Sequence, residues 1–108
     1  MVTVLRGAVY RVDLGDAERA HEQRGRRLGV IVSRTDLISP MVTVVPMSTS
    51  ARPTVFRPVI EIDGQETTLL VDQLRSIDLD YISEYVTVLN PTDLAAVDDT
   101  LSRYLGIV

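Results

Sequence analysis

Apolar and polar positions along this chain change over in short runs, of strand length rather than helix length. Runs rich in valine and isoleucine, bounded by Gly, Pro, Asp or Ser, predict six strands over residues 8–14, 28–33, 42–47, 55–62, 67–73 and 85–89. In the first of them Val9, Arg11 and Asp13 alternate with Tyr10, Val12 and Leu14, the period-two pattern of a half-exposed strand. Asp63-Gly64 is a turn dipeptide, so residues 58–62 and 67–71 read as a hairpin whose loop is slightly longer than that dipeptide. A single helical turn fits residues 78–83. Only at the end does the period lengthen. Asn90 is a preferred N-cap, Pro91 suits the first helical position and Asp93 complements the macrodipole. Leu94, Val97, Leu101 and Leu105 then form one apolar stripe, with Asp98 and Asp99 off it and Gly106 as a natural stop. The links between strands are too short for crossover helices, which makes the fold mainly β: an antiparallel barrel or sandwich with a C-terminal α-helix packed on it.

The length, 108 residues, suits one domain spanning 1–108 and leaves a thin margin of stability that a second copy would widen. An apolar fraction of 45% with 24% charge is that of an ordinary globular protein. No apolar run reaches the roughly 18 residues of a membrane span, and the N-terminus lacks a signal-peptide core, so a cytoplasmic location is expected. The absence of cysteine excludes disulfides and thiol chemistry, and a single histidine, His21, cannot build a multi-histidine metal site. Neither a metal nor another cofactor is implied. The net charge of −4 argues against nucleic acid until its distribution is seen. Residues 1–57 carry nine arginines against five acids, and residues 58–108 two arginines against ten acids. A local basic patch on an acidic protein can still bind phosphate.

Three segments carry candidate chemistry. The longest gap between early strands, residues 15–27, holds Arg19, Arg24, Arg26 and Arg27 among Asp16, Glu18 and Glu22. It reads either as a self-neutralising surface loop or as a clamp that sets arginines against RNA phosphates. The third strand ends in Pro46-Met47-Ser48-Thr49-Ser50, a hydroxyl cluster that by itself is an ordinary turn and gains meaning if the fold brings Ser48 beside Arg27. Asp72-Gln73-Leu74-Arg75 closes the fifth strand with polar groups.

In their order and spacing these segments resemble the MazF/PemK/Kid family of toxin endoribonucleases. The match runs through Arg6-Gly7-Ala8-Val9-Tyr10, Glu22-Gln23 to Arg27, Val30-Ile31-Val32-Ser33, Val44-Val45-Pro46-Met47-Ser48, Asp72 to Asp78 and the terminal helix. The resemblance implies an SH3-like antiparallel barrel with a C-terminal helix, a two-fold homodimer, and metal-independent cleavage of single-stranded RNA that leaves 2′,3′-cyclic phosphate and 5′-hydroxyl ends. It places the family's catalytic arginine on Arg27 and its catalytic threonine on Ser48, with Thr49 the alternative. The loop glutamate and glutamine fall on Glu22 and Gln23, and the strand-end glutamine on Gln73. The chain departs from the family at Ala8, at Leu28-Gly29, at Ser48, and in a shorter link between Ser33 and Pro40.

Cleavage by the 2′-hydroxyl needs charge stabilisation on the phosphorane and proton transfer at both ends. Arg27 suits the first, since its fork offers two donors and its pKa, above about 12, makes it a poor shuttle. Glu22 and His21 are the candidates for the general base. Five aromatic residues are too few for an obvious stacking platform, with Tyr10 expected in the core and Tyr104 along the helix, so Arg24 or Arg26 is expected to stack on bases instead. The expected partners are single-stranded RNA and a cognate antitoxin with an acidic, disordered C-terminal segment. A second class of reading comes from residues 58–62 and Leu105-Gly106-Ile107, which resemble the gyrase-binding CcdB toxins. Those toxins lack the loop from Glu22 to Arg27, which favours the nuclease; a homologue that has lost catalysis is the remaining alternative.

Overall fold

The computed structural model describes residues 4–15, 25–36 and 38–107. Its elements in chain order are β1 (Ala8–Asp13), β2 (Arg26–Ile31), β3 (Met41–Ser48), β4 (Val59–Ile62), β5 (Gln65–Leu69), β6 (Arg75–Asp78), β7 (Ile82–Val88) and α1 (Pro91–Leu105), with 3-10 turns at Val71–Gln73 and Leu79–Tyr81. The strands form one curled antiparallel sheet in the order β4-β5-β3-β2-β1-β7, and β6 pairs with β3. Mainly β with one terminal helix is the predicted class.

Strand β3 holds the sheet together. One edge pairs with β2 through Ile31↔Val44, Val30↔Val45 and Gly29↔Pro46. The other edge serves two partners in succession, β6 along Met41 to Val44 and β5 at Met47 and Ser48. Pro46 sits where the chain passes from one partner to the next. Having no N–H, it suits a position outside a regular ladder, and its carbonyl accepts from the Leu70 amide at 2.9 Å.

Both faces of the curled sheet are buried. Ala8, Tyr10, Val12, Ile31, Val44, Ile77 and Ile82 form one cluster, and Val9, Val30, Val45, Met47, Leu69, Val71 and Val97 the other. The first strand is therefore half-exposed only in its second half. Val9 is fully buried while Arg11 and Asp13 are exposed, because α1 covers the far face of the sheet at Val9.

The helix begins and ends as its sequence predicts. Asn90 Oδ1 accepts from the Asp93 amide at 2.8 Å, and Gly106 stops it in the left-handed region at φ 73°. The apolar stripe is shorter than predicted. Leu94, Val97 and Leu101 pack on the core, whereas Leu105 is 52% exposed, the last turn lying past the core's edge.

The structure corrects the strand reading in four places. Residues 55–58 are not strand; Thr54 and Arg57 close a small turn there. Residues 70–73 keep Leu70 and Val71 buried but leave the ladder in a 3-10 turn, so apolarity marks the core here rather than the strand. The hairpin turn is only two residues long. Ile62 pairs with Gln65, and Asp63 (φ 51°) and Gly64 (φ 80°) take the two positive-φ positions that match the twist of the flanking strands. Finally, β6 is a strand the sequence reading missed, since only Ile77 among its four residues is apolar.

Candidate functional site

The loop after β1 is closed at a narrow neck. The Leu14 amide donates to the Gly25 carbonyl at 2.9 Å, and the Gly25 amide to the Gly15 carbonyl at 2.6 Å. Gly15 and Gly25 both take positive φ, where a side chain would strain the backbone. His21, Glu22, Gln23 and Arg24, expected as general base and RNA contacts, lie outside the described residues. Arg26 and Arg27 lie inside the ladder, opposite Asp13 and Val12. Their backbone positions are therefore set by sheet register, not by the loop.

The same register carries across to β3. The β2–β3 ladder ends at Gly29↔Pro46, and Arg27 and Ser48 each lie two residues beyond that pair, at the same end of their strands. Gly29 lets the Val12 and Val44 side chains of the flanking strands pack close over β2: a Cβ there would meet Val12 Cγ2 at 3.3 Å and Val44 Cβ at 3.5 Å. Arg27 and Ser48 line one open pocket of ≈ 360 Å³ together with Arg11, Arg26 and Thr49. Its apolar lining is Leu28, Met47, Ile62 and Val86, and the β4–β5 hairpin contributes Asp63, Gln65 and Thr67. The predicted pair is thus brought together, with Arg26 and Thr49 beside it. Gln73 is not among the lining residues; it sits half-buried in the 3-10 turn after β5.

Ser48 is 8% exposed, and its hydroxyl is oriented by the turn that follows. The Ser50 and Ala51 amides donate to Ser48 Oγ at 3.2 and 3.0 Å, and Ser50 Oγ lies 3.3 Å away. A hydroxyl oxygen has two acceptor sites and one proton. With both acceptor sites taken by amides, the one Ser48 proton is directed at Ser50 Oγ. The turn itself is tied to β5 by the Thr68 hydroxyl, which donates to the Ala51 carbonyl at 3.0 Å.

The sequence reading did not place Arg11, Asp63, Gln65 or Thr67 at the site. Alternation in β1 does turn Arg11 outward, but its neighbours depend on how β4 and β5 fold over β2, which no local pattern encodes. Arg11 pairs with Glu84 at 3.0 Å, with both side chains well exposed, an arrangement that contributes little in water. On the far side of the Gln73 turn, Arg57 holds Asp72 with both arms of its fork, at 2.8 and 2.9 Å. That hydrogen-bonded pairing pulls the Asp72 carboxyl below its ordinary value and raises the Arg57 guanidinium. Tyr104 closes the cluster, with its ring 5.2 Å from Phe56 and its hydroxyl donating to the Asp72 carbonyl at 3.3 Å.

The family model for PemK-like, MazF-like toxins of type II toxin–antitoxin systems matches residues 5–105. The chain belongs to this MazF/PemK family. A Mycobacterium tuberculosis chain that carries a toxin name, Rv3098A, is 51% identical over 105 residues, covering 96% of this chain and 99% of that one. Among solved structures, a MazF from Deinococcus radiodurans superposes with a TM-score of 0.85 at 22% identity, covering 99% of this chain and 100% of that chain. An endoribonuclease from a mycobacterial species, solved in complex with its cognate antitoxin, superposes with a TM-score of 0.81 at 22% identity, with 97% of each chain covered. Those two likenesses establish the MazF fold. The CcdB-like reading of the second half is not needed to explain any part of it.

Proposed function

We propose that this MazF/PemK toxin is an endoribonuclease that cuts single-stranded RNA by attack of the 2′-hydroxyl, without a metal. The observation that carries the reading is that Arg27 and Ser48, far apart in sequence, line one pocket. A scissile phosphate in that pocket meets the Arg27 fork on its non-bridging oxygens, where charge grows as the phosphorane forms. Ser48, made a donor by its two amides, exchanges its long hydrogen bond to Ser50 Oγ for one to a phosphate oxygen and fixes that oxygen's orientation. Arg26 and Thr49 line the same pocket and serve to bind the strand. Glu22 or His21 supplies the general base from the loop, with Gln23, Arg24 and Gln73 as further RNA contacts. The named likeness to an endoribonuclease bound to its antitoxin supports both this activity and an antitoxin partner. A homodimer is part of the same proposal: Leu5, Val88 and Ile107 leave large apolar surfaces in water that a second copy would cover.

The test is to incubate single-stranded RNA with the purified protein in EDTA and map the new ends. Cutting is expected to continue and to leave 2′,3′-cyclic phosphate and 5′-hydroxyl termini. Loss of cutting in EDTA with recovery on adding magnesium overturns the mechanism.

A further inference from the structure

The pocket holding Arg27 and Ser48 does not end at its own rim. Arg11 and Arg26, which line it, also line a second depression of ≈ 220 Å³ that contains Tyr81. Tyr81 and Asp13 in turn line a third, of ≈ 360 Å³, with Met41 and Arg75. Shared residues thus join the three into one track across the surface, past the base of the Gly15–Gly25 neck.

Tyr81 stands between the second and third depressions with 55% of its surface exposed. Its backbone is firmly mounted. It ends the 3-10 turn Leu79–Tyr81, in which the Leu79 amide donates to the Pro40 carbonyl at 2.8 Å and the Asp80 amide to Asp78 Oδ1 at 2.9 Å. The other exposed tyrosines are engaged: Tyr85 packs edge-on to Tyr10 at 5.7 Å, and Tyr104 packs on Phe56. Tyr81 has no ring partner among the described residues. A half-exposed ring on a well-held backbone, in a groove that also carries guanidinium groups, is what unstacked nucleobases bind. Three carboxylates also line this track: Asp13 and Asp78 accept the Gly15 and Asp80 amides, and Asp80 lies beside Tyr81, so Arg26 and Arg75, with Arg11 in its exposed pair with Glu84, supply the positive charge a strand's phosphates need.

We propose that Tyr81 is a base-stacking residue of the RNA site, holding a nucleotide displaced along the strand from the phosphate at Arg27. This rests on the nuclease reading above. The aromatic platform that the scarcity of aromatic residues argued against is thereby supplied by one tyrosine on a short turn.

The experiment uses the full-length protein and an RNA oligonucleotide carrying its mapped cut site, with a 2′-deoxy residue at the scissile position so that it binds without being cut. Tyr81→Ala is expected to weaken binding by about 10- to 100-fold, the loss of one stacked base. Tyr81→Phe and Tyr81→Trp are expected to bind within about threefold of wild type, because the ring and not the hydroxyl is used. Shortening the oligonucleotide one nucleotide at a time from each end is expected to reach a length at which wild type loses the same factor and Tyr81→Ala loses nothing more. A purely structural role would not produce that convergence. If wild type cuts RNA but Tyr81→Ala binds as wild type does, the Tyr81 assignment alone is overturned. If Tyr81→Phe is as weak as Tyr81→Ala, stacking is overturned in favour of a hydroxyl contact. If wild type leaves RNA intact, the nuclease reading falls and takes this inference with it.

Discussion

The Ser48 hydroxyl receives two backbone amides, so a substitution at this position changes the turn as well as the chemistry. Ser48→Thr keeps the oxygen and is expected to lose little activity. Ser48→Ala removes the donor and strands the Ser50 and Ala51 amides, so it is expected to lower both cleavage and melting temperature. Arg27→Ala is expected to cut the rate by about 100-fold or more while melting close to wild type, since the side chain is exposed and its role lies in transition-state charge. Cleavage rates and thermal melts of the three variants check this. A folded, fully active Arg27→Ala would contradict the assignment, and full activity in Ser48→Ala with loss in Thr49→Ala would move the role by one residue. Arg27 and Ser48 were legible because each lies at a strand end in a family order. Gln65, Thr67 and Tyr81 were not, since their proximity to the site comes from how strands and turns are folded over one another.

Elements defined by their own residues were read most easily. The helix is set by Asn90, Pro91 and Gly106, and the tight turn by Asp63-Gly64, all of them local signals. The four-residue β6 was hidden because its stability comes from β3. The turn at Val71–Gln73 was hidden because the buried Leu70 and Val71 prolong the apolar run of β5 past the end of its ladder. That turn is fastened from outside by the Arg57–Asp72 pair, which is only part-exposed, at 25% and 33%. Asp72 is held below its ordinary value, so the pair's contribution is fully present above the unfolded carboxyl's pKa, about 3.9, and fades as pH falls toward the lower folded value. Asp72→Asn is expected to destabilise the protein by about 1 kcal/mol at neutral pH. Its melting curve should draw level with wild type as the pH is taken well below 4. An equal deficit at pH 7 and pH 3 would falsify that account of the pair.

At the scale of the molecule, the overall charge of −4 hides a basic first half. Arg11, Arg26 and Arg27 gather around one pocket although Arg11 is distant from the others in sequence, because β1 and β2 are paired. Guanidiniums that attract phosphate attract carboxylates for the same reason. An acidic antitoxin segment is therefore expected to compete with RNA for this groove, and its binding to weaken with salt without vanishing, because a segment that orders on the groove also gains apolar contacts. Titrating a non-cleavable RNA against the antitoxin peptide at two salt concentrations checks this. Simultaneous binding of both ligands, or affinities unmoved by neutralising Arg26, would remove the shared groove.

The glycine neck has a consequence for how such a toxin can change over evolutionary time. Among the described residues, two amides and two left-handed glycines close the loop at Leu14, Gly15 and Gly25. The residues in between are not needed to set the register of Arg26 and Arg27. Closing a longer or shorter excursion costs little, about 0.6 kcal/mol for each doubling of its length. Residues 16–24 can therefore change in length without moving Arg26, Arg27 or Ser48, provided the general base proposed from Glu22 or His21 is kept. New RNA preferences can arise there under selection while the phosphate-binding groups stay where the sheet has put them.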